Sequence, residues 1–255
     1  MVSKVALVAL LAFVATAAAT PLFSIQGRIA GGSDGNSGDV PYLASLRVDD
    51  VHVGSCTLIS ETQCLTSAHL IIEHGKTTIA ASRLSVRVGS INIFAAGKIV
   101  GVKKVAAHEE YGNFINDLAI ITFAEKLVKG DKISFIQVAS EEPAQDTVIN
   151  IAGWGSTEIG GSNSFRLQKG TGNAITAQDC EEKIGFGYEH ILCVASPAGQ
   201  GICNGDAGSP AVNNNVVYVL PVSQLVPVPP NSQMFTPILF NIRNGSLRTL
   251  SKFLS

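Results

Sequence analysis

The stretch Cys203-Asn204-Gly205-Asp206-Ala207-Gly208-Ser209-Pro210 decides how this chain of 255 residues is read. Two glycines bracket an acid and an alanine, and two upstream segments belong with it. Leu65-Thr66-Ser67-Ala68-His69 ends on a histidine, and Asn116-Asp117-Leu118-Ala119-Ile120 carries an aspartate ahead of an apolar run. Acyl transfer through a nucleophile, a histidine base and an orienting carboxylate is recognised by the roles of those side chains. Along the chain the order is His69, Asp117 and then this loop, in which Ala207 carries no side-chain oxygen.

The length lies near the upper edge for one all-β unit, about 200–250 residues, so one globular body with a sizeable core is expected. With 18 Lys and Arg against 20 Asp and Glu, the formal charge is −2 and no basic run occurs. Neither a nucleic-acid footprint nor a polybasic membrane anchor is present. Residues 1–19 read as a signal peptide: Lys4, an apolar stretch from Val5 to Val14 too short to span a bilayer, then Ala17-Ala18-Ala19. Residues 20–28 lie between that segment and the body of 29–255, and the protein is expected to be secreted. The later apolar run Val217 to Val228 is broken by Pro221 and Pro227 and reads as strand and loop.

The body reads as short strands punctuated by Gly, Asn, Pro and Asp: Val40–Val48, Val51–Ile59, Gln63–Ser67, Leu84–Val88, Lys98–Ala107, Leu118–Phe123, Val148–Trp154, Phe165–Thr171, Ala211–Leu220 and Thr236–Ile242. That pattern suits barrels or a sandwich. Only the end reads as helical, with Leu247, Leu250, Phe253 and Leu254 on one face after Ser246. His52, His74, His108 and His190 lack metal-ligand spacing and no phosphate-binding glycine loop occurs, so neither metal nor cofactor is expected. Asn244-Gly245-Ser246 is a glycosylation sequon.

The three segments resemble the motifs of the chymotrypsin and trypsin family of serine proteases. In the Gly-Asp-Ser-Gly-Gly-Pro loop of that family the serine is the nucleophile, and Ala207 stands in its place. The resemblance implies an all-β fold of two six-stranded antiparallel barrels, about 29–135 and 136–245, followed by a C-terminal helix, with the cleft between the barrels. It assigns His69 and Asp117 to the retained triad positions, and the backbone of Gly205 and Ala207 to an oxyanion hole. Arg28-Ile29-Ala30-Gly31-Gly32 resembles a zymogen activation site: an activating protease would cut after Arg28, and the amine of Ile29 would pair with Asp206. The resemblance also implies a Cys180–Cys193 disulfide. The family's bridge beside the histidine falls on Gly54 and Leu70 and is absent. Cys56 and Cys64 are equally spaced about Ser60 and could face each other across a hairpin, leaving Cys203 as the odd thiol.

Several departures from the family bear on activity. Losing one triad member costs on the order of 10⁴–10⁶ in rate. Ser209 lies two residues past the nucleophile position, on the outgoing chain, a poor place for attack over about 3–3.5 Å. Val222-Ser223-Gln224-Leu225 resembles the pocket segment Val-Ser-Trp-Gly, with Leu225 crowding the wall where the family has glycine. Pro237 or a neighbour takes the second pocket glycine's place, and Gly201 occupies the pocket base without a charge. The reading is therefore a secreted, inactive homologue that binds a protein or other macromolecular ligand. The rivals are a secreted serine endopeptidase, digestive or in a cascade, with a variant residue at 207, and a structural or storage protein.

Overall fold

The computed structural model describes residues 32–75, 77–112, 116–156, 161–184, 191–197, 201–202, 205–219 and 234–239. The first half runs β1 (Ser33–Asp34), β2 (Leu43–Val48), β3 (Val51–Leu58), β4 (Gln63–Thr66), β5 (Ile72–Glu73), β6 (Thr77–Thr78), β7 (Leu84–Val88), β8 (Lys98–Ala107) and β9 (Ala119–Phe123). The second runs β10 (Gln137–Val138), β11 (Val148–Gly153), β12 (Gln168–Ile175), helix α1 (Ala177–Ile184), β13 (Ile191–Ser196), β14 (Ala211–Asn213), β15 (Val216–Val219) and β16 (Met234–Leu239).

Six strands close a barrel in the order β2-β3-β4-β9-β8-β7. Strict alternation drives it: Leu84, Val86 and Val88 of β7 point inward, where they meet Ala44, Leu46, Leu58, Val100 and Ile121. The later strands form a sheet ordered β10-β15-β14-β11-β12-β13-β16 around Ile149, Ile151, Ala174, Leu192 and Val194. The N-terminal β1 joins this second sheet through β12, so the start of the described chain is held by the other half. A third cluster, Leu43, Ile93, Ala152, Trp154 and Leu167, draws on both halves and fills the joint between them.

Three expected strands are corrected, and further elements were not anticipated. The Ala211–Leu220 strand is a hairpin: Asn214 and Asn215 both have positive φ, 47° and 60°, the twist that a two-residue turn needs. The strand placed at Phe165–Thr171 runs instead from Gln168 to Ile175, because Leu167 N donates to Ile91 O (2.7 Å) and commits the preceding residues to another loop. The strand at Thr236–Ile242 starts earlier, at Met234, and its end beyond Leu239 lies outside the described residues. Helix α1 was not anticipated, although its signal is legible: Thr176 Oγ1 accepts from Asp179 N (3.0 Å) and caps the first turn. Strand β13 and the two-residue strands β1, β5, β6 and β10 were also missed. The C-terminal helix and Asn244 lie outside the described residues.

Cys56 and Cys64 are bridged, with Cα atoms 5.8 Å apart, but not as directly opposed partners. Strand register sets Leu58 opposite Cys64, two residues from the symmetric pairing. An even offset preserves the face, so both sulfurs still point into the barrel core. Cys180 on α1 is bridged to Cys193 on β13.

Candidate functional site

Strand β4 ends at Thr66 and passes through Ser67 into a short 3₁₀ turn, Ala68–Leu70, whose middle residue is His69. Ala68 is buried and anchors the turn to the barrel, which leaves the imidazole at the rim. On the neighbouring strand, Asp117 sits just before β9, after Asn116 has turned the chain at φ 54°. His69 Nδ1 donates to Asp117 Oδ2 (2.6 Å), and the His69 backbone N donates to Asp117 Oδ1 (2.7 Å). The carboxylate is therefore bonded through both oxygens, and its side chain is fully buried while that of His69 is 24% exposed. This arrangement fixes one histidine tautomer and directs Nε2 away from the aspartate. Tyr111 packs nearby, its hydroxyl held above the ordinary value by burial and then by the Asp117 charge.

The loop at 205–210 comes from the second half and is tied to the first barrel. Ser55 N donates to Ala207 O (2.7 Å), and Thr57 Oγ1 donates to Gly208 O (3.3 Å). Gly208 has φ 80°, and a Cβ there would lie 2.0 Å from the Ser55 carbonyl oxygen, so only glycine fits. Asp206 is buried and accepts from Gly155 N (2.7 Å). Its carboxylate fills the space a Cβ on Gly153 or Gly155 would need. Ala207 is 3% exposed. Ser209 is buried, and its Oγ donates to Ser55 Oγ (2.8 Å).

Gly54 makes room for the residue that follows His69. A Cβ on Gly54 would fall 2.6 Å from Leu70 Cδ1 and 2.9 Å from Ala207 O. The residue after His69 thus packs over Gly54, beside the Ala207 loop, which brings the histidine turn and that loop together. Gly205, with φ 94°, meets the Asn163 carboxamide on the side where a Cβ would point, 2.5 Å from Asn163 Oδ1.

The structure thus brings together His69, Asp117, Gly205, Asp206 and Ala207. Gly201 is buried, and Pro237 stands opposite Cys193 in the β13–β16 pairing. Arg28, Ile29, Cys203, Ser223, Gln224 and Leu225 lie outside the described residues. Sequence reading missed the contact of Asn163 with Gly205, for which no spacing rule exists. It also missed the partners of His52: Ser45 Oγ is hydrogen-bonded to Nδ1 (2.8 Å) and Trp154 packs edge-on. Burial, then the Arg47 charge, pushes His52 down to about 4. A cleft of about 730 Å³ opens elsewhere, beside Tyr42, Ile151, Lys169, Thr171, Val212 and Asn215, and neither His69 nor Asp117 lines it.

A histidine and a buried aspartate joined at the end of a closed barrel, beside a glycine-flanked loop from a second sheet, define the chymotrypsin-like class. The Trypsin family model matches residues 29–233, and the chain belongs to the trypsin family. Serine protease SP24D of Anopheles gambiae is 32% identical over 188 residues, covering 74% of this chain and 68% of the relative. Trypsin of Phaedon cochleariae is 31% identical over 206 residues, covering 77% of this chain and 79% of the relative. Neuropsin, a serine protease expressed in the limbic system of mouse brain, superposes with a TM-score of 0.75 at 20% identity, over 88% of this chain and 99% of that one.

Proposed function

We propose that this chain is a catalytically silent, secreted member of the trypsin family whose work is to bind a protein partner. The observation that carries this reading is the methyl group of Ala207 in the loop beside His69, with the nearby hydroxyl of Ser209 buried against Ser55. Without an oxygen at 207 the intact His69–Asp117 pair has no alcohol to deprotonate, and a base acting on water alone retains only a small part of triad catalysis. The two disulfides support passage through an oxidising compartment. Cleavage after Arg28 would free the Ile29 amine to reach Asp206, whose buried carboxylate suits a cationic partner.

A second reading has one observation in its favour. The His69–Asp117 bonds at 2.6 and 2.7 Å keep the geometry a working protease needs, as they would if 207 were a variant position in an active endopeptidase. One experiment separates the two. Cleaved wild-type protein is expected to resist a fluorophosphonate probe, and Ala207→Ser to stay nearly inert on peptides, since the sequence carries Leu225 where the resemblance calls for a pocket glycine. The double change Ala207→Ser with Leu225→Gly should recover more than the single one, since both act on one transition state. Stoichiometric labelling of the wild type refutes the silent reading, and strong peptide hydrolysis by Ala207→Ser alone favours the endopeptidase.

A further inference from the structure

We propose that Phe94 and Phe165, presented by two loops locked to each other, form a docking surface for an acidic, apolar segment of a partner protein. The proposal deepens the binding reading and rests on it. Phe94 is 74% exposed and Phe165 60% exposed. Loose loops would fold such rings back onto the protein, because burying apolar area is favourable wherever the backbone allows it.

These loops are not loose. Ser90 Oγ is within hydrogen-bond reach of the carbonyls of Asn92 (2.9 Å) and Ala95 (2.6 Å). Asn92 Oδ1 accepts from Phe94 N (2.8 Å) and Ala95 N (3.1 Å). From strand β7, Arg87 donates to Ala96 O (2.5 Å) and Phe94 O (3.3 Å). The second loop is pinned to the first: Ile93 N donates to Phe165 O (3.1 Å), and Asn92 and Arg166 form a β-bridge. Ile93, adjacent to Phe94, and Leu167, two residues after Phe165, are buried in the joint between the halves. Alternation turns Ile93 inward and Phe94 out. The Ser164 hydroxyl, which donates to Arg166 O (2.6 Å) and accepts from Arg166 N (3.2 Å), turns the second loop between the exposed Phe165 and the buried Leu167.

Charge selects the occupant. Arg87 donates to backbone carbonyls and forms no ion pair among the described residues, so its charge stands uncancelled there. Arg166 is ion-paired to Asp34 at 3.6 Å, so the net positive charge of the margin rests on Arg87. Ile99, also exposed, lies directly opposite Arg87 on β8 and widens the apolar area. An apolar surface with a cationic margin is complementary to a segment that carries aromatic or aliphatic residues beside Asp or Glu. A second copy meeting this face about a two-fold axis would set arginines against arginines. Asn163, two residues before Phe165, lies against Gly205, so a docked segment would run beside the Ala207 loop.

The test pans a random dodecapeptide display library on the full protein, with Phe94→Ser/Phe165→Ser as the counter-target. Both side chains are exposed, so circular dichroism and the thermal midpoint of the double variant should match the wild type. The expected result is enrichment of sequences that combine apolar residues with Asp or Glu. A synthetic peptide of that kind should bind the double variant about tenfold more weakly or worse, and Arg166→Glu should weaken it too. Enrichment of basic sequences, equal binding to the double variant, or no enrichment overturns the proposal, as does self-association abolished by the double variant. Fluorophosphonate labelling is scored separately. A protein that labels but passes the peptide test has lost the silent reading and kept the docking surface, and the converse result overturns the surface alone.

Discussion

His52 shows how burial turns an ordinary side chain into a pH-sensitive one without giving it a catalytic task. Its imidazole is hydrogen-bonded to Ser45, packed against Trp154, and held down to about 4. The unfolded chain takes up that proton near pH 6.5, whereas the folded protein resists it until about 4. The unfolded state therefore binds more protons in that window, so the stabilisation is complete above pH 6.5 and is lost as pH falls toward 4. Over the window the loss approaches roughly 3 kcal/mol. Urea midpoints measured from pH 7 to 4 should fall more steeply for the wild type than for His52→Gln. Parallel curves would show that His52 does not titrate in this way.

At the scale of elements, the two disulfides staple different kinds of joint. Cys56–Cys64 spans a hairpin with a sequence separation of 8, and Cys180–Cys193 ties α1 to the strand that follows it. Closing so short a hairpin loop removes little unfolded-state entropy, and the chain-entropy relation gives about 2–3 kcal/mol for it. Replacing Cys56 and Cys64 together by serine should lower the unfolding free energy by about that amount, read from denaturant midpoints. Alkylation of the denatured, non-reduced wild type should label one cysteine, Cys203. Three labelled cysteines would mean that the hairpin pair is open in solution.

For the whole molecule, the decisive contacts are those that cross between halves. β1 pairs with β12, the Ala207 carbonyl is held by Ser55, and Asp206 fills a niche floored by Gly153 and Gly155. If cleavage after Arg28 brings the Ile29 amine to Asp206, the start of the body becomes tied to the second sheet by a charged pair as well. Limited digestion that yields Ile29 as the new N-terminus should then raise the thermal midpoint by at least about 2–4 °C, the shift that 1 kcal/mol produces in a domain of this size. Asp206→Asn should cancel the gain. An unchanged midpoint in the cleaved wild type would remove the zymogen device from the proposed function.

Much of this protein was legible from local chemistry. Strands β7 and β8 were read to the residue because alternation and flanking glycines are local signals, and the motifs around His69, Asp117 and Ala207 declared the family. The methyl group at 207 is likewise a property of sequence alone. Other features depended on pairing across the chain. The Cys56–Cys64 bridge survived a two-residue register offset that no turn rule predicts, and Leu167 was drawn out of its expected strand by a carbonyl some 76 positions away. The packing of Leu70 over Gly54 and the Asn163–Gly205 contact join segments far apart in sequence within one half, and the exposure of Phe94 beside Phe165 arises only when the two halves pack. Spacing along a chain encodes which face a residue takes, whereas which neighbours meet that face is set by packing across the joint.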